Sequence, residues 1–458
     1  MIVPKLEKQV GIAVYATKSS GIGGVIRRSI EDFVVEEVLV DGSRASVGSS
    51  VKENALGSSQ SKNRYLLCVL VKRNWDTISV VKAVADQLGI SVGRVQTAGL
   101  KDARAVTAQH ITIEGVSTEE VQKVRAKDIE VRPVGYVRSK LSSYYLLGNS
   151  FRITISSIKY SKSTIKKRVA QVVEELSGIG GVPNFFGHQR FGTTRPITHL
   201  VGKALIKEDF KNAAMLFLAK PSPHEHPASR QAREVLRETK DFKEALQDFP
   251  KQLRYERLML NHLAENSDDY LGAFRRLPKK LQELFPQAYQ SYLFNRFLSR
   301  RIELGLPLNK AEVGDYVVSV ERSGLPMVTM NRLVTAGNLT EINHAIQTGK
   351  MRLALPLVGF KQHPSLGLQG EIEKQILEEE NVETGDFKIH AMPSISLRGE
   401  PRATVTPLNN FSVEEIENDQ AESSKQKMRM SFTLNRSSYA TIILREFMKP
   451  HNLVKAGF

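Results

Sequence analysis

Met428-Arg429-Met430-Ser431-Phe432-Thr433-Leu434 alternates apolar with basic or hydroxyl side chains at a period of two, the signature of a strand with one buried face. Ser437 then stands where a helix cap belongs, ahead of an apolar face formed by Tyr439, Ile442, Ile443 and Phe447. A lone strand–helix pair cannot bury its apolar surface. This pair must therefore complete a sheet begun elsewhere in the chain.

The N-terminal part supplies that sheet. Residues 33–40 read as a strand, followed by a Ser-rich polar stretch to Asn63 that predicts a loop. Residues 64–72 form a second strand. Asp76 can cap the next helix, whose apolar residues Ile78, Val81, Ala85 and Leu88 share a face, with Gly89 at its C-terminal end. Residues 108–114 and 151–155 alternate like strands. Ser163 or Thr164 opens a helix carrying Ile165, Val169, Val172, Val173 and Leu176, which stops at Gly178. From Thr193 helical patterns take over, through Asn261 and again at 288–303 and 371–380, with a short strand at 316–321. A sheet that starts early and is completed at the end makes this middle region an insertion.

The 458 residues hold 65 Lys and Arg against 49 Asp and Glu, a net charge of +16. Such an excess suits a polyanionic partner, whose phosphates supply affinity through counterion release. The single cysteine, Cys68, sits in the apolar run 65–71. One thiol excludes an intrachain disulfide and any multi-cysteine zinc site, and this one reads as core. The N-terminus lacks a signal-peptide apolar stretch and no run approaches membrane-spanning length, so a cytoplasmic protein without a membrane partner is expected.

Two Gly-Ile-Gly-Gly stretches, at 21–24 and 178–181, do not follow a strand and open a helix as a phosphate-cradling loop must. They read as turns. His224-Glu225-His226, between Pro223 and Pro227, has metal-ligand residue types but no second ligand cluster nearby; a solvated loop is the stronger reading, and no metal is expected. Thr97-Ala98-Gly99-Leu100-Lys101-Asp102-Ala103-Arg104 lies between a helix and a strand, with one carboxylate among cations and Gly99 permitting close backbone approach. Local pattern leaves it as either a surface turn or a reactive loop. Asn184-Phe185-Phe186-Gly187-His188-Gln189-Arg190-Phe191-Gly192 interleaves aromatics with glycines, amides and Arg190. That composition suits either stacking on unpaired bases or stapling two elements together.

At these segments the chain resembles the TruD family of tRNA pseudouridine synthases. Residues 98–102 with Ala105-Val106-Thr107 resemble its nucleophile motif, and residues 184–192 its second motif. Similar stretches at 31–37, 72–77, 147–151, 288–295, 354–359 and 438–441 keep the family's order across nearly the whole chain. The resemblance implies an α+β fold: a pseudouridine synthase catalytic domain with a mixed, largely antiparallel sheet flanked by helices, interrupted by a mostly helical α/β insertion. Approximate boundaries are 1–192 plus 400–458 for the catalytic domain and 193–399 for the insertion.

It further implies isomerisation of uridine to pseudouridine in tRNA, at U13 in the D stem, by a monomer that needs no cofactor. Asp102 becomes the candidate catalytic residue, as nucleophile at C1′ or C6 or as base at C2′. A partly buried carboxylate needs a cation to stay charged, and Arg27 is the candidate. The family usually carries Lys there, and a planar guanidinium is not equivalent to an ammonium. A uridine in a stem must be flipped out to react. Phe186 is expected to stack on the flipped base and Asn184 to fix the active-site loop. Lys101, Arg104 and Arg190 are expected to meet RNA. A methyltransferase lacks support because no strand–glycine loop–helix signature is present. A purely RNA-binding protein would not require the Asp, and a basic structural factor would not require the spaced motifs.

Overall fold

In the structure, a computed structural model describing residues 2–48 and 55–458, both ends of the chain build one sheet. Its strands are β1 (Phe33–Leu39), β2 (Tyr65–Arg73), β3 (Val106–Glu114), β4 (Ile129–Val137), β5 (Leu146–Ile158), β6 (Asn409–Asp419) and β7 (Glu422–Asn435). They lie in the order β6-β7-β5-β1-β3-β2-β4, with short strands Val25–Ile26 on β5 and Val95–Thr97 on β3. The β1–β3 pair is parallel and the other pairings are antiparallel. The centre of the expected loop after β1, residues 49–54, lies outside the described residues.

Register explains why the opening stretch of β7 alternates. Phe432 pairs with Phe151 and Met430 with Ile153, while Val35 pairs with Phe151 and Phe33 with Ile153. The apolar members form rows on one face. Helix α2 (Lys162–Gly178), capped by Ser161 rather than Ser163 or Thr164, covers them with Ile165, Val169, Val172 and Leu176. Helix α4 (Ala440–Met448) adds Ile442, Ile443 and Phe447 to the same core. It starts at Ala440 with no side-chain cap, so Ser437 is not its N-cap; Ser437 instead takes φ +65° in the turn before it.

Helix α1 (Thr77–Gln87), capped by Asp76 through Ser79 N, packs on β2 and β3 with Val80, Val81, Val84 and Ala85. Its buried face is rotated from the expected one, and Ile78 is 68% exposed. Cys68 is core, as its apolar neighbours require. Between the two apolar clusters the same face carries the polar residues Lys72, Thr107, Gln109 and Glu37, all buried.

The middle of the chain is helical from Thr198 to α3 (Lys279–Glu303), then adds a second antiparallel sheet. That sheet is broader than one short strand. It orders Pro326–Leu333, Tyr316–Val320, Met351–Leu357 and Glu400–Ala403. Glu400–Ala403 pairs with 354–357, so this second sheet includes residues on both sides of position 399. The two parts share one hydrophobic core, in which Phe294 and Phe297 of α3 join Phe185 and Phe447.

Candidate active site

Ala98 and Ala105, both buried, anchor the ends of the loop that carries Asp102 between Val95–Thr97 and β3. Three bonds lace this loop to the turn after β2. Asn74 N donates to Ala105 O at 3.1 Å, Lys101 N to Thr77 Oγ1 at 3.0 Å, and Lys72 Nζ to Asp102 O at 2.6 Å. Gly99 takes no positive φ and has room for a Cβ, the nearest atom lying 3.5 Å away. The close approach falls instead at Gly148, where a Cβ would lie 2.0 Å from Leu434 O.

The Asp102 side chain is 35% exposed and its Oδ1 accepts from Arg27 Nη2 at 3.2 Å. Arg27 follows Val25–Ile26 in a left-handed conformation, φ +58°. Its guanidinium lies 4.1 Å over the Phe33 ring and also donates to Gly457 O at 3.5 Å. Burial lowers the Arg27 pKa, the Asp102 carboxylate works against that, and Arg104 adds to it. Arg104 is exposed and braces the group by donating to Arg27 O at 2.9 Å.

Lys101 does not face outward, where a phosphate contact would require it. Its side chain is 3% exposed, with Nζ 2.7 Å from Glu37 Oε1 and 2.8 Å from Asn149 Oδ1. Glu37 also accepts from His110 N at 2.9 Å. Burial alone would raise the Glu37 pKa, but hydrogen bonding from His110 and the Lys101 charge hold it below the ordinary carboxylate range. Burying a lone charge here would cost several kcal/mol, and pairing removes most of that cost.

The second group forms around Arg402. This buried arginine donates to Asn184 Oδ1 at 2.8 Å, to Asn184 O at 3.1 Å and to Ser437 O at 2.8 Å. Burial pulls its pKa down to about 10. The guanidinium lies 4.0 Å over the Phe186 ring, and Phe294 and Tyr439 pack against the same ring. Phe186 is thus 8% exposed and built into the core, not held out as an open stacking face. Arg190 is tied inward as well, to Ser291 Oγ at 3.3 Å and Gln287 Oε1 at 3.1 Å. Asn184 lines a cavity of about 230 Å³ with Arg352, Arg402, Asn435 and Ser438. In the His-Glu-His stretch, His226 caps a helix through Ala228 N and Glu225 pairs with Arg233.

The structure therefore gathers Asp102, Arg27, Arg104 and Lys101 in one cluster and Asn184, Phe186 and Arg190 in another. The C-terminus runs between them, with Gly457 on Arg27 and the Phe458 ring 6.2 Å from His188. Sequence reasoning missed Lys72, Glu37 and Arg402. A signal existed for the first two: each is a charge set in a largely apolar strand run.

The family model of tRNA pseudouridine synthase D (TruD) matches residues 9–447. The chain belongs to the TruD family. Relatives named tRNA pseudouridine synthase D from Methanosarcina barkeri and Methanosarcina acetivorans are 39% and 40% identical, each match covering 98% of both chains. One from Pyrococcus abyssi is 36% identical over 95% of this chain and 98% of its own. The crystal structure of the TruD protein of Methanosarcina mazei is similar over 98% of this chain and 99% of that one, with a TM-score of 0.82 at 38% identity. This TruD chain shares with that structure the fold described above. Among the described residues, no helix is long and apolar enough to cross a membrane.

Proposed function

We propose that this chain isomerises uridine to pseudouridine in tRNA, at U13 of the D stem, with Asp102 as the catalytic carboxylate. The observation that carries this reading is the Arg27–Asp102 pair, 3.2 Å apart on a half-buried loop of a TruD-family fold. The reaction breaks N1–C1′, turns the uracil and joins C5 to C1′; C5 gives up its proton and N1 gains one. No electrons or groups are exchanged with another molecule, so a single carboxylate can serve as nucleophile at C1′ or C6, or as base at C2′.

Arg27 pairs with that carboxylate across 3.2 Å and fixes its direction. Asn184, held by Arg402 and lining the cavity with Arg352 and Ser438, orders its loop next to a flipped base. The net charge of +16 supplies the attraction to tRNA. We read the protein as a cytoplasmic monomer, which size-exclusion chromatography with light scattering tests directly.

The deciding experiment incubates wild type and Asp102→Asn with unmodified tRNA transcripts and maps pseudouridine by chemical probing. Modification at U13 by wild type alone supports the reading. Equal modification by both proteins, or none by wild type across a full tRNA set, sinks it.

A further inference from the structure

Lys72 is the last but one residue of β2 and is fully buried. Its ammonium donates to two backbone carbonyls, Trp75 O at 2.6 Å and Asp102 O at 2.6 Å. One is the turn after β2 and the other is the residue carrying the reactive carboxylate. An ammonium buried against carbonyls is expensive, because among the described residues no direct ion pair offsets its desolvation. Methionine would fill the same space without that cost, which is why a buried lysine of this kind marks a functional requirement. The charged groups that act on it are Asp102 and Asp76, which favour its ionisation, and Lys101, which opposes it.

We propose that Lys72 is a positioning residue for Asp102: a buried ammonium that pins the loop through the Asp102 carbonyl and adds a second positive charge beneath its carboxylate. This rests on the reading of Asp102 as the catalytic carboxylate. Asn74 N holds the far end of the loop through Ala105 O, and Thr77 Oγ1 holds the residue before Asp102 by accepting from Lys101 N. Among the described residues, Lys72 is the side chain that binds the Asp102 carbonyl itself. A carboxylate displaced by a fraction of an ångström loses its alignment with the sugar or base, and such misplacement costs on the order of 10² in rate. Burial lowers the Lys72 pKa to about 8, against the pull of Asp102 and Asp76. The positive charge beneath the carboxylate is therefore present below that pH and is lost above it, where a neutral amine keeps only weaker, uncharged hydrogen bonds to the two carbonyls.

The test compares wild type, Lys72→Met, Lys72→Arg and Asp102→Asn as full chains, measuring kcat, KM for tRNA and kcat from pH 6 to pH 9. Lys72→Met is expected to lower kcat on the order of 10² while KM stays within about threefold and tRNA binding persists. Wild type should lose kcat above about pH 8. Lys72→Arg, which cannot deprotonate, should recover part of the rate and lack that alkaline decline. A Lys72→Met enzyme with near wild-type kcat overturns the proposal. Should Lys72→Met not fold, the pH profiles decide: an alkaline decline unchanged in Lys72→Arg also overturns it. An active Asp102→Asn overturns instead the reading beneath it, whatever the Lys72 variants do.

Discussion

Arg27 and Asp102, 75 positions apart, meet as a 3.2 Å ion pair in which the guanidinium is 12% and the carboxylate 35% exposed. The pair is held from both sides. Phe33 lies under the guanidinium and Gly457 O accepts from it, while the Asp102 loop is laced to the turn after β2.

Arg27→Met should reduce the single-turnover rate of pseudouridine formation on the order of 10², the typical loss on removing one charge-stabilising donor from an active site. Arg27→Lys should recover only part of it, since a point-charge ammonium cannot reproduce the forked contacts to Asp102 and Gly457. Equal rates in all three proteins would show that the pair is structural.

Phe186→Ala removes a ring packed between Arg402, Phe294 and Tyr439. Emptying such a site costs about 3–5 kcal/mol, so urea denaturation should show a clearly lower midpoint. Phe186→Leu should lose much less. Unchanged stability together with lost activity in Phe186→Ala would instead put the ring on the RNA.

Lys101→Met and Glu37→Gln each leave one buried member of the pair alone, at about 3–5 kcal/mol. Lys101→Met/Glu37→Gln should be less destabilised than the two single losses added together. Additive losses in denaturation would mean that the two groups do not interact.

Glu7, on the N-terminal segment, is fully buried against Arg445 of α4, with Nε–Oε1 at 2.8 Å. Burial would raise its pKa, yet Arg445 and His188 hold it at about 2. The folded value lies below the ordinary value of 4.5, so the unfolded chain takes up the proton first as pH falls. The pair thus contributes about 3 kcal/mol above pH 4.5, lost progressively towards pH 2. Acid denaturation of wild type and Glu7→Gln should differ most near neutrality and converge at low pH. A constant difference across that range would refute the assignment.

With a net charge of +16, tRNA affinity should fall steeply with salt. Six or more phosphate contacts give a loss on the order of 10³ between 50 mM and 200 mM, which fluorescence anisotropy measures. A flat response would remove counterion release as the source of affinity.

Much of the fold was legible because alternation is a local property. The rows Phe432–Phe151 and Met430–Ile153 follow from strands that each declare an apolar side, and the return of β7 to the first sheet follows from a strand–helix pair too small to stand alone. The second sheet was less legible. Pro326–Leu333 has mostly partly exposed or exposed residues and no clean alternation, and Met351–Leu357 is apolar on both faces near its end, which resembles a helix segment as readily as a strand. The candidate site was legible in residue type and not in direction. Arg27 and Asp102 do meet as the sequence reading expected, whereas Lys101 turned inward and Phe186 entered the core.

By itself the sequence determined which residues are apolar on which side, where the chain turns, and which family it resembles, since each depends on neighbours a few positions away. Only the tertiary structure decided that Arg27 reaches Asp102, that Lys101 answers Glu37, and that Lys72 ends on the Asp102 carbonyl. A charge in an apolar strand advertises that it needs a partner. Which partner it finds depends on the register of strands and loops brought together from distant parts of the chain, and no local pattern encodes that.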